Sequence, residues 1–240
     1  MIRAVSFLYS TLIVCFLVFS CKKNSDTDSV DMKKDYFPLE VGRYIVYNID
    51  STIYDEITHI PTTYKYQIKE KITQTFTDNE NQTAYRLERY IKWYDSTKAY
   101  SQIPWQIKEV WMINAYVTSI ERQESNIRFV KLIFPPQQNT QWNGNAKNNL
   151  GYQTYTYSYV DNPTTISTLY FEKTLKVLQN DFRTLINYQH AEEQYARNVG
   201  LIYKNYINVS SQTIIPNIPV ENRAEKGVIF KMQIVSYGKE

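Results

Sequence analysis

From Arg43 to Tyr237 the chain keeps returning to an alternation of period two, apolar or aromatic residues against polar ones, and nowhere sustains a period of 3.6. That alternation fits short strands with one wet face and leaves little room for helix. In Tyr64–Phe76 the series Tyr64, Tyr66, Ile68 stands against Lys65, Gln67, Lys69. In Ala84–Trp93, Tyr85, Leu87, Ile91 and Trp93 oppose Arg86, Glu88 and Lys92, and in Trp105–Ile113, Trp105, Ile107, Trp111 and Ile113 fall together. Arg43–Ile49, Tyr116–Ile120, Ile127–Phe134, Gln153–Val160, Leu169–Leu178, Leu201–Val209 and Val228–Tyr237 read the same way. The expectation is an all-β fold: one antiparallel β-sandwich or barrel-like domain of about ten strands.

Asn/Asp clusters mark the expected breaks, because their side chains favour local backbone hydrogen bonds: Asp78–Asn81, Asp95–Thr97, Asp161–Pro163 and Gln179–Asp181. Tyr188–Ala196 is the one stretch where a helical turn or two is expected. The polar segment Pro135–Gly151, which holds Trp142, is the best candidate for a functional loop. Twenty-two tyrosines stand out, and Tyr152, Tyr155, Tyr157 and Tyr159, just after Trp142, could form an aromatic platform on which a sugar stacks. Strand packing accounts for them as well, since tyrosine forms strands readily and buries its ring.

The N-terminus reads as an address. Met1-Ile2-Arg3 is followed by 16 residues without a charge, Ala4 to Phe19, then Ser20-Cys21 and Lys22-Lys23, the layout of a secretory signal. Leu17-Val18-Phe19-Ser20-Cys21 resembles the lipobox of bacterial lipoproteins, although Phe19 is bulkier than the Ala or Ser usual there. The resemblance implies a signal peptide over 1–20, cleavage before Cys21, and attachment to a membrane through lipid on Cys21, where two or three chains hold stably. Cys15 would leave with the signal, so no disulfide or thiol nucleophile is expected in the mature chain. Residues 21–35 read as the lipidated cysteine and a flexible tether, because Lys22–Asp35 offers only Val30 and Met32 to bury. Residues 36–240 then make a single β-rich domain.

Two further motifs carry a family likeness. Tyr36-Phe37-Pro38-Leu39-Glu40-Val41-Gly42-Arg43-Tyr44 and, much later, Tyr195-Ala196-Arg197-Asn198-Val199-Gly200-Leu201-Ile202-Tyr203 resemble segments of Bacteroidota envelope lipoproteins, F-P-L-x-x-G-x-Y at the start and Y-A-x-x-V-G-L-V-Y near the end. The likeness implies export, an outer-membrane location with the body on the periplasmic or cell-surface face, and a β-rich fold; it transfers no activity and no catalytic residue. Physically both motifs read as architecture: Pro38 excludes helix at Phe37, and Gly42 and Gly200 supply backbone angles that other residues resist.

Chemistry is sparse. Of the two histidines, His59 lies in an expected connection, and His190 has Glu193 on its face only if the segment is helical; neither matches a metal motif, and no metal or other cofactor is expected. Nucleophile elbows, H-E-x-x-H and phosphate-binding glycine loops are missing. Glu88, Glu109 and Glu172, on expected strands, are the loose candidates for paired-carboxylate chemistry. A net charge of +3 from 27 basic and 24 acidic residues provides no field for nucleic acid. The expectation is therefore a lipid-anchored, non-enzymatic β-domain that binds a ligand, a glycan or an envelope-protein partner, with Trp142, Tyr152, Tyr155 and Tyr157 as contact residues. The alternatives are a carboxylate-dependent glycan hydrolase and a lipocalin-like carrier whose interior holds an apolar cavity of some hundreds of Å³.

Overall fold

The structure, a computed structural model, describes residues 30–240. The expected signal peptide, Cys21 and most of the tether lie outside the described residues. Contacts divide the chain between Asp31 and Met32, and the account below concerns the body, Met32–Glu240.

Twelve strands form one antiparallel sheet: β1 (Arg43–Tyr54), β2 (Pro61–Thr77), β3 (Thr83–Trp93), β4 (Gln106–Ala115), β5 (Ser119–Glu124), β6 (Ile127–Ile133), β7 (Gln141–Asn143), β8 (Thr154–Ile166), β9 (Leu169–Arg183), β10 (Asn187–Ala196), β11 (Gly200–Ser210) and β12 (Lys226–Lys239). Their order, β6-β5-β4-β3-β2-β1-β12-β11-β10-β9-β8-β7, is a meander of neighbours in sequence except where β12 returns to pair with β1. The sheet curls into a nearly closed barrel, so the fold class expected from the alternation holds in its barrel form. Inside lie Tyr47, Ile49, Ile68, Ile113, Leu175, Ile202 and Ile234, all essentially without solvent exposure.

Bulges explain where the strand reading slipped. Asp161–Pro163 and Gln179–Asp181 are not turns: they lie within β8 and β9, at register shifts opposite Thr174 and Ala191. An Asx residue satisfies a bulge's freed backbone group as readily as a turn's. Tyr188–Ala196 is β10, paired on both sides, and not helical. Its apolar alternation is interrupted because one inward position is Glu193, fully buried between Ala191 and Tyr195. Another shift, between Arg89 and Tyr90, breaks the row expected in β4, leaving Trp111 and Ile113 buried while Ile107 is exposed.

The two motifs meet in space. Phe37 and Pro38 pack with Val199, Gly200 and Leu201 over Ile45, Ile72, Leu87 and Ile113, and the Phe37 ring lies 6.0 Å from Tyr195. Asn198 donates to the Asp35 carbonyl at 2.7 Å, and Arg43 to the Asn198 carbonyl at 2.8 Å. Gly42 and Gly200 have φ of 92° and 105°; a Cβ at Gly42 would run into the carbonyl oxygen of Glu240. This end of the barrel, where β1 starts and β12 finishes, is thus closed by an apolar plug. The last residues assigned to the tether join it: Lys34–Tyr36 form a 3₁₀ turn, Lys33 pairs with Asp161 at 2.5 Å, and Met32 packs on the core. Ordered contacts therefore begin before residue 36, because Asp161 on its bulge, also bonded by the Tyr36 hydroxyl at 2.8 Å, draws Lys33 in.

Candidate functional site

The aromatic residues singled out in the sequence do not share a surface. Trp142 is 8% exposed, Tyr155 6% and Tyr157 0%, whereas Tyr152 is 74% exposed. The physical cause is the seam between β6 and β7, the two sheet edges, whose backbone groups need partners. The Trp142 indole donates to the Val130 carbonyl at 2.9 Å, Val130 donates to Gly144 at 2.9 Å, and the Tyr157 hydroxyl donates to the Ile133 carbonyl at 2.7 Å while accepting from its N–H at 2.9 Å. Trp142 spends its ring on Tyr157, 4.6 Å away, and on Tyr155, 5.8 Å away. Pro135–Gly151 is accordingly the strip that covers the seam, and its one aromatic ring, Trp142, buried with Tyr155 and Tyr157 of β8, offers solvent no face for stacking.

The open face is at the other end of the barrel from the plug. There the inner rows of β2 and β3 run out into Tyr64, Tyr66 and Trp93, which is 51% exposed and lies 4.9 Å from the Tyr66 ring and 6.3 Å from Tyr64. Beside this rim the β3–β4 connection, with Asp95, Ser96, Lys98 and Gln102, and Gln106 at the start of β4 border an open hollow of about 590 Å³ that Trp93 and Tyr94 also line. Below the rim is a smaller cup of about 180 Å³, walled by Tyr66, Trp111, Phe230 and Met232 and floored by Glu70, Arg89, Arg122 and Lys204.

Charge, not hydrocarbon, fills the barrel beneath the cup. Arg89 donates to Glu70 at 2.9 Å and to Glu109; Arg122 holds Glu124 at 2.6 Å; Lys131 lies 2.7 Å from Glu193, which also accepts from the Tyr195 hydroxyl at 2.6 Å. Trp111 stacks against both guanidiniums, its ring centre 3.8 Å from Arg89 and 5.0 Å from Arg122. Burial pushes the Glu193 carboxyl up, but Lys131, Lys204 and Arg122 together outweigh it and hold the group at about 2. Burial likewise acts against ionisation of Glu124 and Glu109, and the neighbouring cations again prevail, keeping both below the ordinary carboxylate range.

Those directions bear on the other chemistries. A glycan hydrolase needs one carboxyl raised to act as acid. Glu70 and Glu109 both bind Arg89, through different guanidinium nitrogens, but only Glu70 lines the cup, and Glu109 is pulled down. Glu121 alone among the described carboxyls is shifted upward, by burial, and it sits away from the cup beneath Lys147 and Arg128, each 3.7 Å off. Glu88 is taken by Arg86 and Tyr90, and Glu172 is exposed. The plug's apolar cavity, about 50 Å³, is far smaller than a carrier requires. His190, on a strand, faces Asp181 at 3.3 Å and Glu192 at 3.5 Å, with Glu193 on the opposite face; His59 is exposed in the β1–β2 turn. Among the described residues no group of three or more His, Cys, Asp or Glu could hold a metal ion.

The sequence matches no known family profile and no curated protein. Two crystal structures are similar in shape. One, from Bacteroides fragilis, is held to be an exported protein with a YmcC-like fold; it shares 10% identity at a TM-score of 0.43, covering 85% of this chain and 98% of its own. The other, from Parabacteroides distasonis, is held to be a lipoprotein; it shares 8% identity at a TM-score of 0.36 with the same coverage.

Proposed function

We propose that this chain is an exported envelope protein, anchored by lipid on Cys21 in the outer membrane, whose barrel binds a saccharide at its open mouth and catalyses no reaction. The half-exposed Trp93 ring, bracketed by Tyr64 and Tyr66 at a concave rim beside polar side chains, carries this reading. A sugar has an apolar C–H face that stacks on an indole and a hydroxyl edge that needs donors and acceptors, and the rim offers both. The anchor rests on the signal-like N-terminus and the lipobox-like sequence before Cys21. The plug, where Met32–Asp35 enters, and the mouth lie at opposite ends of the strands, so a tether at the one leaves the other clear.

Binding of envelope glycan fragments, measured on an array, should fall about tenfold or more in Trp93→Ala while the circular dichroism spectrum is unchanged. Retained binding in that variant would remove the mouth from consideration. Mass spectrometry of the purified native protein should find the chain starting at an acylated Cys21; an unmodified thiol or an intact leader would remove the anchor.

A further inference from the structure

The cup below the rim has more positive charge facing it than the saccharide reading uses. Four cations line it, Arg89, Lys108, Arg122 and Lys204, against one carboxylate, Glu70. The remaining carboxylates stand behind this lining and are shared. One oxygen of Glu193 serves Lys131 at 2.7 Å, Lys204 at 3.3 Å and Arg122 at 3.9 Å, and the Arg122 Nη1 nitrogen is 3.9 Å from Glu70. Arg89 is spent on Glu70 and Glu109. Lys204 and the Nη1 edge of Arg122 are therefore the lining cations with the longest carboxylate contacts, and both border the cup.

We infer that the saccharide is an acidic one, its carboxylate lodged between Lys204 and Arg122 and its ring lying against Tyr66 and Phe230; this rests on the mouth being the saccharide site. Each step has a physical reason. A buried carboxylate needs paired cations and charge-assisted hydrogen bonds, and the cup offers a guanidinium edge and an ammonium whose existing partner is divided among three. The cup's 180 Å³, the room of roughly six waters, admits one acidic ring and not a longer chain. Tyr66 joins the two parts, lining the cup with one side and packing on Trp93 with the other, so a chain stacked on the rim can send its acidic residue downward.

The test is calorimetric titration of the full chain in detergent with methyl glucuronide, with methyl glucoside and with acetate. The glucuronide should bind about tenfold or more tightly than the glucoside, and acetate should be weaker than the glucuronide. Lys204→Gln should erase the preference for the acidic sugar and Lys204→Arg should keep it. Lys108→Gln, at the exposed edge of the cup, should reduce the preference, and it supplies the reading if Lys204→Gln fails to fold. Equal binding of glucuronide and glucoside, both lost in Trp93→Ala, would overturn the acidic assignment and leave the mouth in place. Acetate binding as tightly as the glucuronide would overturn the role of the ring. Absence of binding by all three would overturn both.

Discussion

The two ends of the barrel are built from different material and answer to different parts of the sequence. At the plug, two motifs more than 150 residues apart interlock through apolar side chains, backbone hydrogen bonds and two glycines in positive φ. At the mouth no motif is visible; strands β2, β3, β4, β5, β11 and β12 each contribute one or a few side chains, most of them charged or aromatic, with Ile68 and Met232 the aliphatic exceptions. The contrast teaches that the segments which carried the family likeness are the ones that shut the barrel, whereas the residues with chemistry to offer are spread over a register that no local pattern displays. Packing writes itself into contiguous sequence more legibly than binding does.

The comparison breaks first at Glu193. Its replacement by Ala would leave Lys131, Lys204 and Arg122 around a missing counter-charge, and should cost about 3–5 kcal/mol in guanidinium unfolding. A loss under about 1 kcal/mol would mean that the charges beneath the cup are not a bound network. Toward the plug, Ile202→Ala should cost about 2–5 kcal/mol by leaving a cavity, yet spare ligand affinity. If affinity fell with it, the two ends would not be separate in function.

Acid should act on the mouth's floor next. Glu193 has its folded pKa depressed to about 2 from 4.5, so its contribution is complete above about 4.5 and is lost as pH falls through the folded value. Melting temperature should decline as pH falls from about 4.5 towards 2, and Glu193→Gln should flatten that decline. An unchanged slope in the variant would assign the acid sensitivity elsewhere. Smallest of all, Trp93→Ala should cost about 1–2 kcal/mol, since half of the residue is already in water and only its contacts with Tyr64 and Tyr66 are lost; a loss above about 3 kcal/mol would make Trp93 a packing residue.

Much of the fold was legible because alternation survives where most inward residues are apolar, as in Tyr64–Phe76 and Ala84–Trp93, whose rows each carry a single inward charge, Glu70 and Arg89. It failed where an inward position carries charge, at Glu193 in β10, and where a bulge shifts the phase, at Arg89–Tyr90 and in β8 and β9. The same two causes hid the site. Arg89, Arg122, Lys131 and Lys204 look like ordinary surface charges until the sheet curls, and Trp93 looks like one more core position because its row is inward for most of its length. The signal that could have found it is that row itself: Leu87 and Ile91 are buried, and Trp93, two residues on, overhangs the rim. Trp142 misled for the converse reason, since a polar, turn-rich segment around an aromatic describes a seam cover as well as a binding loop.

The chain has four tryptophans, and their indole N–H resonances separate the regions. Nuclear magnetic resonance titration with an acidic oligosaccharide should shift Trp93 strongly and Trp111 with it, while Trp142 at the seam stays in place. Shifts at Trp142 with Trp93 and Trp111 silent would contradict a ligand at the mouth.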